Sequence, residues 1–311
     1  MKILALAGGV GGAKFAYGLY HSLDPHDLTI IVNTADDFYY YGLYISPDVD
    51  TVCYTISKQA SYETGWGLSG ESWVVMENLK SLHGPGWFNL GDRDLATHLE
   101  RTRRMQLGES LSKITSDFCQ YWGIQSKIIP MSDNPVQSIV STVEFGDIPF
   151  QEYFVKYHHT PKTKGYSFKG IEKALPNPKF VQAIHDSDWV IICPSNPYVS
   201  VQPILSLNGI REALIGKSVI SISPIIGGKA IKGPAANMFK DQGIEPSAFA
   251  VAKFYESILT AMVIDDQDQD QKLLIDQIGI ICLTTNIYMQ STNDRIRLAE
   301  EVIQYCEKLN R

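Results

Sequence analysis

The 311-residue sequence contains no C-x-x-C pair, and its five cysteines (Cys53, Cys119, Cys193, Cys282, Cys306) are scattered and odd in number. That argues against a disulfide scaffold or a cysteine-built zinc site, and it is the usage expected of reduced thiols in a cytoplasmic protein. No uncharged apolar run approaches membrane-spanning length, and the first residues enter a strand without a signal-peptide pattern. Internal repeats and low-complexity tracts are absent. Positive charge is in short supply: the net charge is −7, which disfavours sequence-independent binding to nucleic acid or to an anionic membrane. A phosphorylated ligand stays compatible, because a local nest of N–H groups or a bound cation can reverse the field at one site. What is present, 44% hydrophobic and 20% charged residues, suits a globular chain with a sizeable core.

The organising stretch is Gly8-Gly9-Val10-Gly11-Gly12-Ala13-Lys14. It follows Ile3-Leu4-Ala5-Leu6-Ala7, which reads as a buried strand, and it precedes Phe15-Ala16-Tyr17-Gly18-Leu19-Tyr20, which reads as the start of a helix. Strand, glycine turn and helix gather free backbone N–H groups and the positive helix end at one point, an anion site whose usual anion is phosphate. The dinucleotide fingerprint fails, because Lys14 stands where its third glycine belongs. The P-loop fails too, because Phe15 follows Lys14. Four glycines in five positions exceed the needs of a turn, so Gly9, Gly11 and Gly12 are expected to line a phosphate.

Residues 28–33 read as the second strand of a βαβ unit, with Asn33, Asp36 and Asp37 at its polar carboxyl end facing the same crevice. An aromatic loop at 38–44 precedes Ser46-Pro47-Asp48-Val49-Asp50. In an extended segment Asp48 and Asp50 point the same way and suit a hard divalent cation; they serve almost equally well as caps of a helix starting near Thr51. Further on, the pattern predicts helices over 71–82 and 94–105, a strand at 127–130, and a hairpin of 136–143 with 150–157. Asp92 and Asp94 open the second of these helices with Arg93 between them. Arg101, Arg103 and Arg104 read as a solvated face, with contact to an anionic ligand as the alternative, and His98 as a packed helix residue.

Parallel-sheet grammar returns at 189–193, ending in the rigid loop Pro194-Ser195-Asn196-Pro197. It recurs at 218–223, ending in a second glycine loop with Gly227, Gly228, Lys229 and Lys232. Asp265, Asp266, Asp268 and Asp270 imitate a calcium loop without its glycine and closing glutamate, and read as a solvated turn. A last helix covers about 293–308. The fold class is therefore α/β, a Rossmann-like parallel sheet flanked by helices. Its core spans about 1–54 and 181–311, and a mainly helical inserted region spans about 55–180, together one catalytic unit.

Seven motifs in order resemble the 2-phospho-L-lactate transferase family of deazaflavin coenzyme (F-420) biosynthesis. They are Gly8 to Lys14, Asn33-Thr34-Ala35-Asp36-Asp37, the run from Ser46 to Val52, Leu90-Gly91-Asp92-Arg93-Asp94, Pro130-Met131-Ser132-Asp133-Asn134-Pro135, Pro194-Ser195-Asn196-Pro197, and Ser223-Pro224-Ile225-Ile226-Gly227-Gly228. The resemblance covers almost the whole chain. It implies a magnesium-dependent, homodimeric enzyme that moves a phospho-lactyl group, or its phosphoenolpyruvyl equivalent, from a guanosine diphosphate-linked donor. The acceptor it implies is 7,8-didemethyl-8-hydroxy-5-deazariboflavin, with release of GMP and formation of coenzyme F-420-0 or its dehydro form. It implies no nucleic-acid or membrane partner.

By the same resemblance, Asp50 and Asn89 contact the acceptor, Asn89 standing where a basic residue is common. Asp48 or Asp50, with Asp37, would hold Mg²⁺. Gly9, Gly11, Gly12, Ser195, Asn196, Gly227 and Gly228 would hold the guanosine diphosphate, with Asn33 and Asp92 also facing ligand. Asp50, Arg93 and Lys232 would orient the attacking hydroxyl and stabilise charge. A related family, gluconeogenesis factors that bind uridine diphosphate sugars without catalysis, is similar at the glycine turn and the end of strand two. It lacks the Ser-Pro-Asp-x-Asp and Gly-Asp-Arg-Asp motifs found here.

Overall fold

The computed structural model describes residues 1–309. The chain runs β1 (Ile3–Ala7), α1 (Gly9–Ser22) and β2 (Leu28–Val32), then β3 (Phe38–Tyr40), β4 (Leu43–Ile45) and α2 (Pro47–Ile56). Next come α3 (Val74–Ser81), α4 (Asp92–Gln106), α5 (Leu111–Tyr121) and β5 (Lys127–Pro130), followed by β6 (Gln137–Thr142), β7 (Gly146–Pro149) and β8 (Thr163–Lys169). After α6 (Pro178–Asp186) and β9 (Trp189–Ile192) lie α7 (Gln202–Leu205), α8 (Ile210–Leu214), β10 (Val219–Ile222), β11 (Ile225–Ile226) and β12 (Lys229–Ala230). The chain closes with α9 (Ala235–Asp241), α10 (Ala248–Tyr255), β13 (Ala261–Ile264), α11 (Lys272–Gln277), β14 (Ile281–Thr284) and α12 (Thr292–Leu309).

Seven strands form one parallel sheet in the order β14-β13-β10-β9-β1-β2-β5. Helices cover both faces, which is why β1, β9, β10 and β13 are buried along their whole length and read as unbroken apolar runs. Alternate side chains feed two separate cores. Leu4, Leu6, Ile31, Val190 and Ile192 pack with Phe180, Leu214, Phe239 and Tyr255 on one face. Ile3, Ala5, Ile30, Val32 and Ile191 pack with Phe15, Leu19, Val52, Leu298 and Val302 on the other. The chain leaves β1 for β2 and β5 on one side, then returns to place β9 on the other. Such a reversal of strand order opens a crevice at the carboxyl ends of β1 and β9.

Two expectations are corrected. The region 55–180 is not wholly outside the sheet, because Lys127–Pro130 pairs in parallel with β2 as an edge strand. Its regular structure is mainly helical, in α3, α4 and α5, and it also carries an antiparallel sheet of β6 with β7 and β8. The hairpin partner of β6 is Gly146–Pro149, and Glu152–Lys156 is a short π-helical turn. There Phe150, Phe154 and His159 stack on one another, burial that an extended strand would not allow. Among the described residues no helix is long and apolar enough to cross a membrane. All five thiols are free and buried.

Candidate active site

The crevice is closed from below by a lock between two loops. The Ser195 hydroxyl donates to the Gly8 carbonyl at 2.8 Å and accepts the Gly8 N–H at 3.1 Å. This gives most of the glycines a role other than room for phosphate. A Cβ at Gly11 would lie 2.3 Å from the Pro194 carbonyl oxygen, and one at Gly12 would lie 2.4 Å from the Ser195 hydroxyl. Of the four glycines in this turn only Gly9, held at φ +63°, has room for a Cβ, its nearest neighbour being the Ser200 hydroxyl at 3.9 Å. Asn196 is likewise engaged, its side-chain oxygen accepting the Tyr198 N–H at 2.9 Å.

Pro47 starts α2 with its fixed φ, and Asp48 and Asp50 fall in the first helical turn. This overturns the expectation of two parallel carboxylates: two residues apart on a helix, they point to different places. Asp48 turns to the glycine turn, where it accepts from Asn33 Nδ2 at 3.0 Å and from the Gly9 backbone N–H. A carboxylate therefore already caps the N-terminus of α1. Burial pushes the Asp48 carboxyl up to about 6 against the stabilising donors Asn33 and Gly9. Asp36 is also buried, and burial with the nearby Asp48 charge pushes it up as well. One Asp36 oxygen has no hydrogen-bond partner among the described residues. Asp37 accepts from the Ser46 and Tyr44 hydroxyls, and burial pushes its carboxyl up too.

Asp50 turns the other way, into a buried charge network between α2 and α4. Its two oxygens accept the two terminal nitrogens of Arg101. Arg101 is 1% exposed, so the expectation of a solvated arginine there is wrong. Burial works to lower the Arg101 pKa, but the Asp50 carboxylate outweighs it and raises it. His98 stands 3.3 Å from Arg101 through Nδ1 and 3.3 Å from Asp94 through Nε2. The Tyr54 hydroxyl completes the network by donating to Asp94 at 2.6 Å. Asp50, Asp94 and His98 offer ligand atoms within 4.8 Å of one another, but Arg101 already supplies the positive charge a metal would bring. A signal for Arg101 was present: Asp94, His98 and Arg101 lie at i, i+4 and i+7, one face of a helix.

The remaining predicted residues lie around this centre. Asp92 caps α3, accepting the Val74 and Val75 N–H groups at 3.0 and 3.1 Å. Asn89 is exposed, and its side-chain oxygen accepts from Lys80 Nζ at 3.2 Å, beside an aromatic cluster of Phe38, Tyr40, Trp87 and Phe88. Arg93 and Lys232 grip the same loop from opposite ends, Arg93 donating to the Ser69 carbonyl and Lys232 to the Thr64 carbonyl. Gly227 and Gly228 form the two-residue turn between β11 and β12, both at positive φ. Asp268 accepts the Gly227 N–H at 3.1 Å, so the acidic run is not a solvated turn: Asp265 and Asp268 are buried, and Asp268 anchors this loop. A cleft of about 190 Å³ opens beside Val10, Lys14 and Lys232. A larger cavity of about 750 Å³ lies at the opposite edge of the sheet, against Lys2, Thr29 and Lys127 at the amino ends of β1, β2 and β5, away from all of these residues.

Comparison with known proteins adds a family to this geometry. The model of the 2-phospho-L-lactate transferase CofD family matches residues 3–297. A phosphoenolpyruvate transferase of Streptomyces griseus is 37% identical over 316 residues, covering 99% of each chain. A 2-phospho-L-lactate transferase of Methanosarcina mazei is 36% identical, covering 97% of this chain and 99% of its own. Among solved structures, a UPF0052-family protein from Bacillus halodurans matches with a TM-score of 0.64 at 14% identity, covering 97% of this chain and 98% of its own. That last likeness concerns the fold alone.

Proposed function

This chain belongs to the 2-phospho-L-lactate transferase CofD family, and on that premise we propose that it moves a phosphorylated three-carbon acid, 2-phospho-L-lactate or phosphoenolpyruvate, in F-420 biosynthesis. The donor is guanosine diphosphate-linked and the acceptor is 7,8-didemethyl-8-hydroxy-5-deazariboflavin. The acceptor's side-chain hydroxyl oxygen forms a bond to the distal phosphorus and gives up its proton, which passes to solvent or to the departing phosphate. The bond from that phosphorus to the guanosine phosphate breaks, and GMP leaves with the electron pair. The observation that carries the reading is the whole-length family match, with relatives bearing both transferase names.

Transfer of this kind needs alignment and charge neutralisation more than covalent catalysis. For Mg²⁺, the donor set that fits is Asp48 with Asp36: two buried carboxyls, the Asp48 charge near enough to raise Asp36, which carries an unpartnered oxygen. Asp48 with Asp50 does not fit, because Asp50 is committed to Arg101. The ion would supply charge neutralisation to the diphosphate. Asp50, fixed by Arg101 and flanked by His98, is suited to orient the acceptor hydroxyl. Asn89 brings Lys80 beside the aromatic cluster, a positive charge at the acceptor side that the sequence position itself lacks. Lys232 faces the small cleft and Arg93 holds the loop above it.

Incubating the purified protein with the deazaflavin, Mg²⁺ and each guanosine diphosphate donor, with products read by mass spectrometry, tests the reading. A phosphodiester-linked product plus GMP is expected. Absence of product with every donor would sink it.

A further inference from the structure

The cleft of about 190 Å³ lies between α1, the loop that follows α2, the loop carrying Lys232, and α12. Its walls carry four cations, Lys14, Lys58, Lys232 and Arg295, against one carboxylate, Glu63. Arg295 sits on the face of α12 that carries Leu298, Ala299, Val302 and Cys306 into the core, and it is 8% exposed. Among the described residues its side chain makes no ion pair, and its buried Nε has no hydrogen-bond partner. Its guanidinium lies 5.5 Å from the Tyr17 ring centroid and 6.0 Å from that of Tyr62, both lining the cleft.

A guanidinium has five N–H donors, and leaving them unmet out of water is costly. The fold nevertheless brings this one in closely. A Cβ at Gly18 of α1 would lie 2.1 Å from the Arg295 carbonyl oxygen, so glycine there lets α12 approach at the level of Arg295. Among the described residues the Lys14 ammonium makes a single hydrogen bond, 3.1 Å to the Met289 carbonyl. Burial, then the Arg295 and Lys232 charges, lowers the Lys14 pKa. The cations therefore crowd one another, and among the described residues none of the four is in an ion pair with a carboxylate.

Resting on the donor named above, we propose that this cleft is the oxyanion subsite for the distal phosphoryl group and the three-carbon carboxylate of that donor. Arg295 grips the phosphate, and Lys14 and Lys232 act as point charges. The walls carry a net excess of three positive charges. A diphosphate esterified at both ends bears two negative charges, and the acid carboxylate adds a third. The volume is below the roughly 300–1,000 Å³ of sites that take drug-sized ligands, so the nucleoside lies outside it, along the crevice. Arginine suits the phosphate because its planar fork can donate two parallel hydrogen bonds.

Isothermal titration of the whole protein with pyrophosphate, phosphoenolpyruvate, 2-phospho-L-lactate, GMP and GDP tests the assignment. The variants are Arg295→Gln, Arg295→Lys and Lys14→Gln, each checked for an unchanged circular-dichroism spectrum. Binding of GDP and of the phosphorylated acids should weaken by about tenfold or more in Arg295→Gln and in Lys14→Gln, with Arg295→Lys intermediate and GMP changed by less than about threefold. Should an Arg295 variant not fold, Lys232→Gln takes its place at the cleft wall with the same expectation. The subsite is overturned if no phosphate ligand binds the native protein, or if those that bind are indifferent to these substitutions. Turnover by the native protein with unaltered anion binding in the variants would leave the transferase reading standing and remove the subsite. Lost anion binding with no donor turned over would do the reverse.

Discussion

Asp50 and Arg101 are both removed from solvent, so neither can lose its partner without leaving an uncompensated buried charge. Arg101→Ala should therefore destabilise the fold by about 3–5 kcal/mol, seen as a lowered urea midpoint. The double variant Asp50→Leu with Arg101→Met should be hurt less than Arg101→Ala, because it removes both charges together. An equal or greater loss in the double variant would mean that the network, not the isolated charge, sets the cost. Asp48 carries a pH signature of unusual sign. Its folded pKa of about 6 stands above the ordinary 3.8, so folding favours the protonated form. Its contribution is full below about pH 4 and is lost as pH rises through about 6, up to about 3 kcal/mol in all. In metal-free protein, Asp48→Asn should thus gain stability relative to the native chain between pH 4 and pH 8. A constant difference across that range would remove the buried-carboxyl account. The local motifs exposed Asp48 and Asp50 as candidates. They hid the orientation, because side-chain direction reverses when an extended segment becomes a helix.

α1 is the element on which the others converge. Gly9, Gly11 and Gly12 are read locally as room for phosphate, yet other parts of the chain press on two of these and on Gly18 further along the helix: Pro194 on Gly11, Ser195 on Gly12 and Arg295 on Gly18. Gly11→Ala would put a methyl group 2.3 Å from a backbone oxygen, which cannot turn aside as a flexible side chain could. It should cost about 1–3 kcal/mol or more by overpacking, measurable by thermal melting. A neutral outcome would show that the loop after β9 is free to move. Most helices and strands of the central sheet were legible because their apolar runs and turn residues are local signals. The segment 150–157 was not, since its β-prone residues are held in a helical turn by stacking against each other.

Across the whole molecule the two cores share one sheet, and the strands between them should be the last to open. Backbone amides of β1, β9 and β10 should exchange hydrogen only by global unfolding. Those of β6–β8 and α3, which lie outside that sheet, should exchange at least about tenfold faster by mass spectrometry. Uniform protection would mean that the added sheet and α3 unfold together with the core. The crevice, the buried charge network and the basic cleft sit around the carboxyl ends of the central strands, while a larger cavity of about 750 Å³ lies at the other edge. Cavity size is therefore a poor guide to the chemistry in this fold.

By itself the sequence determined the α/β class, the strand–glycine–helix opening, the second parallel strand with its acidic end, and the family resemblance, because each rests on residues a few positions apart. Only the tertiary structure decided which carboxylate meets which cation. Asp50 with Arg101, Gly12 with Ser195, and Lys14 with Lys232 and Arg295 are pairings across 51 to 281 positions. The burial that makes Arg101 a partner and Arg295 an unmet donor is a property of the helices packed around them, which no local pattern contains.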